Sequence, residues 1–284
     1  MFDALDKSQI LYIDLKGSAL EDFTVNRSSG IMSGFGSNTL IYLPERNDDG
    51  GESNVVLDDK CSRLTLSEDS KYRSLLAFTA AKAELNRKFT VGRTSTIFLP
   101  FSLTKAQAEN LGTFYKFKEI EGDDAVFYPA ESGDIEANKP YIFTPAVENV
   151  TASDVSVVQV NEFFATQGNL IGTYETIEWA VKPGNIYGFA GAVEGSIEIG
   201  QFVQVGAGAW IPPFRAYLQV DDAASRLNFV ISDEPDDIRD ITISREDASA
   251  VYDLQGRQVS SSKSQTSNLK SGLYIINGKK SIVK

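Results

Sequence analysis

Short apolar runs recur along almost the whole chain, some alternating with polar positions and some unbroken. The clearest are ILYIDL (10–15), NTLIYLP (38–44), SRLTLS (62–67), RKFTV (87–91), STIFLPF (95–101) and FYKFKEI (114–120). They continue with AVFYP (125–129), YIFTP (141–145), SVVQVN (156–161), IEWAV (177–181), NIYGFAG (185–191), GQFVQVG (200–206), FRAYLQV (214–220) and LNFVIS (227–232). Val, Ile, Phe, Tyr and Thr dominate them, and Gly, Asn, Asp and Pro punctuate them. β-Branched and aromatic side chains suit a pleated, half-buried surface, and no strand–helix–strand rhythm intervenes. The pattern predicts an all-β fold built as an antiparallel β-sandwich.

One helix interrupts it. In SLTKAQAENLG, Thr104 stands as N-cap with Gln107 three residues on, a capping box, and Gly112 supplies the stop. A single further turn is expected at NEFFAT (161–166). Near the C-terminus, Asn277-Gly278 lies between the apolar runs of LYII and SIV. Asn-Gly accepts positive φ at both central positions of a type I′ turn, which predicts a terminal β-hairpin.

Two polar breaks divide the chain. ERNDDGGES (45–53) separates an N-terminal segment, residues 1–53, from a main sandwich at 54–232. SDEPDDIRD is acidic and carries proline, so residues 233–240 read as a linker to a small β-module at 241–284.

Composition narrows the function. The 284 residues are 42% hydrophobic and carry a net charge of −12, ordinary for a globular chain with a proper core. That charge argues against nucleic acid and against an anionic membrane surface. No apolar stretch is long enough for a transmembrane helix, so membrane insertion is not expected. The first ten residues are acidic and lack a signal-peptide pattern, so an exported protein of this kind would have lost its signal. The sequence has no histidine, which removes Ser-His-Asp and Cys-His catalysis and any His-bearing zinc site. The single cysteine, Cys61, forms no internal disulfide and reads as a small buried residue. NDDGGE (47–52) lacks the ligand spacing of a calcium loop. No cofactor or metal is expected.

Two sets of residues invite functional readings. Trp179, Tyr187 and Trp210 fall within one third of the chain and are candidates for stacking sugars, although core strands carry such residues too. A pair of carboxylates could run glycoside hydrolysis without histidine, but the acidic residues are too many for a pair to stand out.

The order of several blocks carries a resemblance: SNTLIYLP, NVVLDDKCSRLTL, AELNRKFTVGRTSTIFLPFSL, LGTFYKF, KPYIFTP, GTYETI, IYGF and PPFRAYL. Across residues 10–232 the series resembles the C-terminal module of BspA-like, leucine-rich-repeat cell-surface proteins of Bacteroidetes. There LYIDLKGSALEDF is similar to a last repeat or its cap, whose task is to hide the final apolar face of a repeat stack. The tail is similar to a shortened C-terminal sorting domain of Bacteroidetes secreted proteins. Tyr252, Gly256, Leu269, Gly272 and Tyr274 match its motif, and Asn277, Gly278, Lys279 and Lys280 form the hairpin and its basic end. A small β-module that merely packs or protrudes is the alternative for this tail.

The resemblance implies a non-catalytic region of an exported or surface-attached protein, acting in repeat capping, spacing, adhesion or sorting. It implies an extracellular or outer-surface location. The implied partners are host or cell-surface proteins, glycans, or secretion machinery, with a monomer as the expected state. The alternatives are a carbohydrate-binding accessory module and a His-free glycosidase using two carboxylates.

Overall fold

The computed structural model describes residues 6–19, 22–29, 33–130, 135–190, 200–221 and 226–232, plus strand backbones at 251–252, 258–260, 272–276 and 279–283. It divides into two compact units, Met1–Pro235 and Asp236–Lys284. Strands account for 48% of the described residues and helix for 5%, an all-β fold.

In chain order the first strands are β1 (Tyr12–Asp14), β2 (Leu40–Leu43), β3 (Val55–Leu57), β4 (Lys60–Cys61), β5 (Leu64–Ser67), β6 (Phe78–Asn86) and β7 (Ser95–Phe98). The helix α1 (Lys105–Leu111) precedes β8 (Gly112–Glu121), β9 (Asp124–Pro129), β10 (Pro140–Pro145) and β11 (Val150–Val157). Next come β12 (Phe164–Gln167), β13 (Leu170–Thr173), β14 (Ile177–Trp179), β15 (Ile186–Phe189) and β16 (Phe202–Gln204). The first unit ends with β17 (Ala209–Ile211), β18 (Arg215–Gln219) and β19 (Arg226–Ile231). The second holds β20 (Val251–Tyr252), β21 (Gln258–Ser260), β22 (Gly272–Ile276) and β23 (Lys279–Val283).

α1 forms where its caps dictate. The Thr104 hydroxyl accepts from the Gln107 amide and the Gln107 side chain accepts from the Thr104 amide, closing the capping box. Gly112 stops the helix at φ 147°, and a Cβ there would stand 2.3 Å from the Thr144 carbonyl oxygen. NEFFAT makes no turn of helix: Phe164 onward pairs as β12 with β13, because Phe164 and Thr166 oppose Thr173 and Ile171 in an antiparallel ladder.

Two large sheets make the first unit. One runs β1-β2-β3-β4-β6-β11, with β5 also on β6. It is mixed: β1–β2, β2–β3, β4–β6 and β5–β6 are parallel. The sandwich is therefore not purely antiparallel, and the boundary drawn at residue 53 runs through one sheet, since β2 pairs β3 across the glycine-rich loop. The second sheet runs β12-β13-β18-β15-β16-β19-β9-β8-β10-β7 and curls into a half-barrel. Its curl brings β7 back to β18: the Phe98 amide donates to the Phe214 carbonyl at 3.0 Å, and the Ala216 amide to Thr96 Oγ1 at 3.1 Å.

Alternation along the strands distributes the core. Phe117, Phe127, Ile142, Leu170, Tyr187, Phe202 and Leu218 face inward and fill the half-barrel. Their neighbours Phe114, Tyr141 and Phe143 face the other way and pack with Tyr42, Leu66, Leu85 and Val155 of the first sheet. At the meeting of the two sheets, Phe98 stacks on Tyr174 with centroids 4.1 Å apart, and Phe214 lies against Tyr72 and Tyr174. On the opposite face of the first sheet, Ile13, Val25, Ile41, Leu43 and Val55 form a smaller core. In the second unit the order is β21-β20-β22-β23, all antiparallel.

Gly172 sits where a Cβ would come within 2.4 Å of the buried Phe98 ring. Gly172→Ala is expected to lower stability by about 1–3 kcal/mol through overpacking, read as a shift of the denaturant midpoint. Cys61 is buried in the first sheet, and burial pushes its thiol up to about 12. An acid whose folded pKa exceeds its unfolded value loses stability as pH rises, here from about 9 upward. Native protein at about pH 8 should leave Cys61 unreacted with a thiol reagent, whereas unfolded protein should release one equivalent.

Candidate functional site

The half-barrel's outer face is built from the positions that alternate with its lumen. On β18, Ala216 and Leu218 point inward, so Arg215 and Tyr217 point outward. On β15, Tyr187 points inward and Ile186 outward. The β14–β17 ribbon packs over this outer face, with Ile177, Trp179 and Ile211 against Ile186 and Tyr217. Between the ribbon and the 87–96 segment lies a cleft of about 300 Å³, at the small end for ligand sites.

Its chemistry is basic and aromatic. Arg87, Lys88, Arg93 and Arg215 line it together with Trp179 and Trp210, and no carboxylate is among the described lining residues. Glu68, directly after β5, supports the arginines from behind. Arg215 grips it in a bidentate pair, Nε–Oε1 2.6 Å and Nη2–Oε2 3.0 Å. Arg87 Nε stands 3.5 Å from the same Oε1, and its Nη1 donates to the Thr96 carbonyl at 2.8 Å. One carboxylate thus serves two guanidinium groups. The Arg87 side chain is only 7% exposed, and its guanidinium lies 4.3 Å from the Phe89 ring centroid. Burial first, and then the Arg215 charge, push Arg87 down to about 9 against the pull of Glu68. It remains a cation at neutral pH. Beside it, the Ser95 hydroxyl on the cleft wall is buried without a hydrogen-bond partner.

The aromatic candidates separate. Tyr187 is fully buried inside the half-barrel, so it packs the core and stacks no ligand. Trp179 lies edge-on to Tyr217 with centroids 5.6 Å apart and is partly covered. Trp210 is 65% exposed. Opposed residues on antiparallel strands share a face, so Trp179 with Ala209 and Trp210 with Glu178 occupy opposite faces of the ribbon. Both nevertheless border the cleft.

Of the tail residues, Tyr252 lies in β20, Gly272 and Tyr274 in β22, and Lys279 and Lys280 in β23. β22 and β23 pair from Gly272↔Val283 to Ile276↔Lys279. Gly256, Leu269, Asn277 and Gly278 lie outside the described residues, as do 233–240.

The basic side chains escaped the sequence reading. Arg87, Lys88 and Arg93 were embedded in RKFTV and its continuation, which read as a strand; residues 87–94 instead form an irregular segment. The available signal was local: three cations fall within seven positions of a strongly acidic chain. Glu68 and Arg215 become their neighbours only through the fold. Among the described residues, no group of carboxylate and thiol side chains is arranged to hold a metal ion.

No protein-family model matches the chain, and no characterised protein or solved structure is significantly similar to it.

Removing the Glu68 charge leaves Arg87 buried beside another cation. Glu68→Gln is expected to destabilise the fold by about 3 kcal/mol, as for a broken buried ion pair. Arg87 has a folded pKa below its unfolded value, so stability from its proton release appears only as pH rises through about 9. Glu68 raises that pKa, so without it Arg87 sheds its proton at lower pH; the Glu68→Gln loss should therefore shrink as pH rises toward about 9 and change little above it, in melting curves taken across that range.

Proposed function

We propose that this chain is a non-catalytic β-rich region of an exported or surface-attached bacterial protein, and that β1 caps a stack of parallel-β repeats. The observation that carries the reading is an apolar ladder. Ile13 on β1 is in register with Ile41 on β2, and Ile41 with Val55 on β3, all in parallel strands. Parallel strands with like residues in register are how repeat stacks bury a continuous core. Ile10, Leu15, Phe23 and Phe35 pack around that ladder and close its face. Among the described residues no strand pairs with the outer edge of β1. An unpaired parallel edge with an apolar rung beneath it is a template for one more strand.

The cleft supports a role in binding over one in catalysis. Its charged lining groups are all basic side chains, and Glu68 is engaged by both arginines. In this reading the C-terminal four-stranded sheet serves sorting or attachment, in the manner of the secreted proteins its sequence resembles.

The capping reading is tested by fusing an array of consensus leucine-rich repeats to the N-terminus of the full chain. The expected result is one cooperative transition, with the array melting several degrees higher than alone. Introducing Ile13→Asp should split it into two transitions by placing a charge in the ladder. If the array melts at the same temperature with and without the chain, β1 caps nothing.

A further inference from the structure

We infer that the cleft between the β14–β17 ribbon and the 87–96 segment binds an acidic oligosaccharide, holding the carboxylate of a hexuronate unit on Arg93 beside the Arg87–Glu68–Arg215 cluster while Trp210 stacks the sugar ring. This goes beyond the capping reading and does not depend on it, because β1 and the cleft use different residues.

The charge distribution points to an anion. The chain as a whole is at −12, yet four cationic side chains converge on one small cleft with no described carboxylate among its lining residues. Glu68 neutralises one of the two guanidinium groups it touches and leaves the pair with an excess positive charge. The planar fork of a guanidinium matches a carboxylate in two parallel hydrogen bonds, a fit that lysine lacks. Arg93 has no ion-pair partner among the described residues and lines the cleft.

The remaining surface favours a sugar over a bare ion. A solvent-exposed indole at a cleft edge is a large apolar plate with an electron-rich face, suited to the polarised C–H groups on one side of a pyranose. Long polyanions such as nucleic acid are disfavoured, since beyond the cleft they would meet an acidic chain.

The test is calorimetric titration of the full chain with trigalacturonate and with a hyaluronan tetrasaccharide, against maltotriose as the neutral control. The expected result is saturable binding of at least one acidic probe, about ten-fold or more tighter than maltotriose, the size of one good contact. Affinity should fall again by about ten-fold in about 1 M sodium chloride, where screening shortens to about 3 Å. Arg93→Ala and Trp210→Ala should each weaken the acidic probe by about ten-fold, with the melting temperature little changed because Trp210 is exposed and Arg93 has no ion-pair partner among the described residues. Failure of both acidic probes to bind overturns the inference, as does equal affinity for maltotriose. If inorganic sulfate binds as tightly as the oligosaccharides and Trp210→Ala has no effect, the cleft is a plain anion site and the saccharide assignment is wrong.

Discussion

The half-barrel depends on a single strained residue. Phe214 holds φ at 64°, a left-handed conformation that a bulky side chain rarely adopts, at a cost of about 1–3 kcal/mol. What holds it there is visible on every side. Its amide donates to the Thr173 carbonyl at 2.7 Å and its carbonyl accepts from the Phe98 amide at 3.0 Å, so one residue joins β13 to β7. Its ring is fully buried against Tyr72 and Tyr174, and a buried aromatic of this size contributes more than the strain removes. The two prolines before it restrict the approach of the chain. The next residue, Arg215, opens β18 facing outward, and Ala216 faces the lumen. A residue at ordinary φ would redirect both. Closure of the curled sheet and delivery of Arg215 to Glu68 are thus consequences of the same turn.

Glu68 couples that turn to the first sheet. It follows β5, Arg87 follows β6, and Arg215 begins β18, so one carboxylate gathers chain from both sheets. An exposed pair of this kind would contribute little. Here the Arg87 side chain is almost fully covered, and desolvation makes its partner a requirement. The same arrangement leaves an excess of positive charge at the cleft, because one carboxylate serves two guanidinium groups and does not itself line the cleft. Stability and site chemistry therefore share one residue.

Much of the fold was legible from period and punctuation. The runs at Leu40–Leu43, Ser95–Phe98, Asp124–Pro129 and Pro140–Pro145 form strands, and Thr104, Gln107 and Gly112 bound the helix as their side-chain chemistry demands. β6 escaped because its buried positions are Phe78, Ala80, Ala83 and Leu85, in which small alanines give a weak apolar signal and the alternation slips at Ala81 and Lys82. Its partner β11 slips at the same place, where Asp154 takes a positive φ of 52°. Parallel pairing was equally hidden: a short strand such as Tyr12–Asp14 reads the same whichever way its neighbour runs. For the site, composition singled out Trp179, Tyr187 and Trp210 alike. Only the strand face decides that Tyr187 fills the lumen while Trp210 meets solvent. Three of the cleft's four cations sit within seven positions of one another, but Arg215 joins them from more than a hundred residues away, and no local pattern marks that meeting.

The two sheets differ in how they end, and this separates two kinds of surface. The half-barrel curls until its edge strand β7 reaches β18 through the Phe98 amide and the Thr96 hydroxyl, while its other edge, β12, has no further ladder partner among the described residues. The first sheet ends at β1, where parallel pairing continues outward with a uniform apolar rung. A parallel edge accepts another strand in one register only, because Ile13 must meet an apolar side chain on the same face. Extension of the stack is therefore compatible with an unchanged cleft, since no residue of the Ile13–Ile41–Val55 ladder lines it. The common core of Tyr42, Phe98, Phe143 and Val155 joins the two sheets in a single body, so the ladder and the cleft are held by one packing arrangement while using different residues.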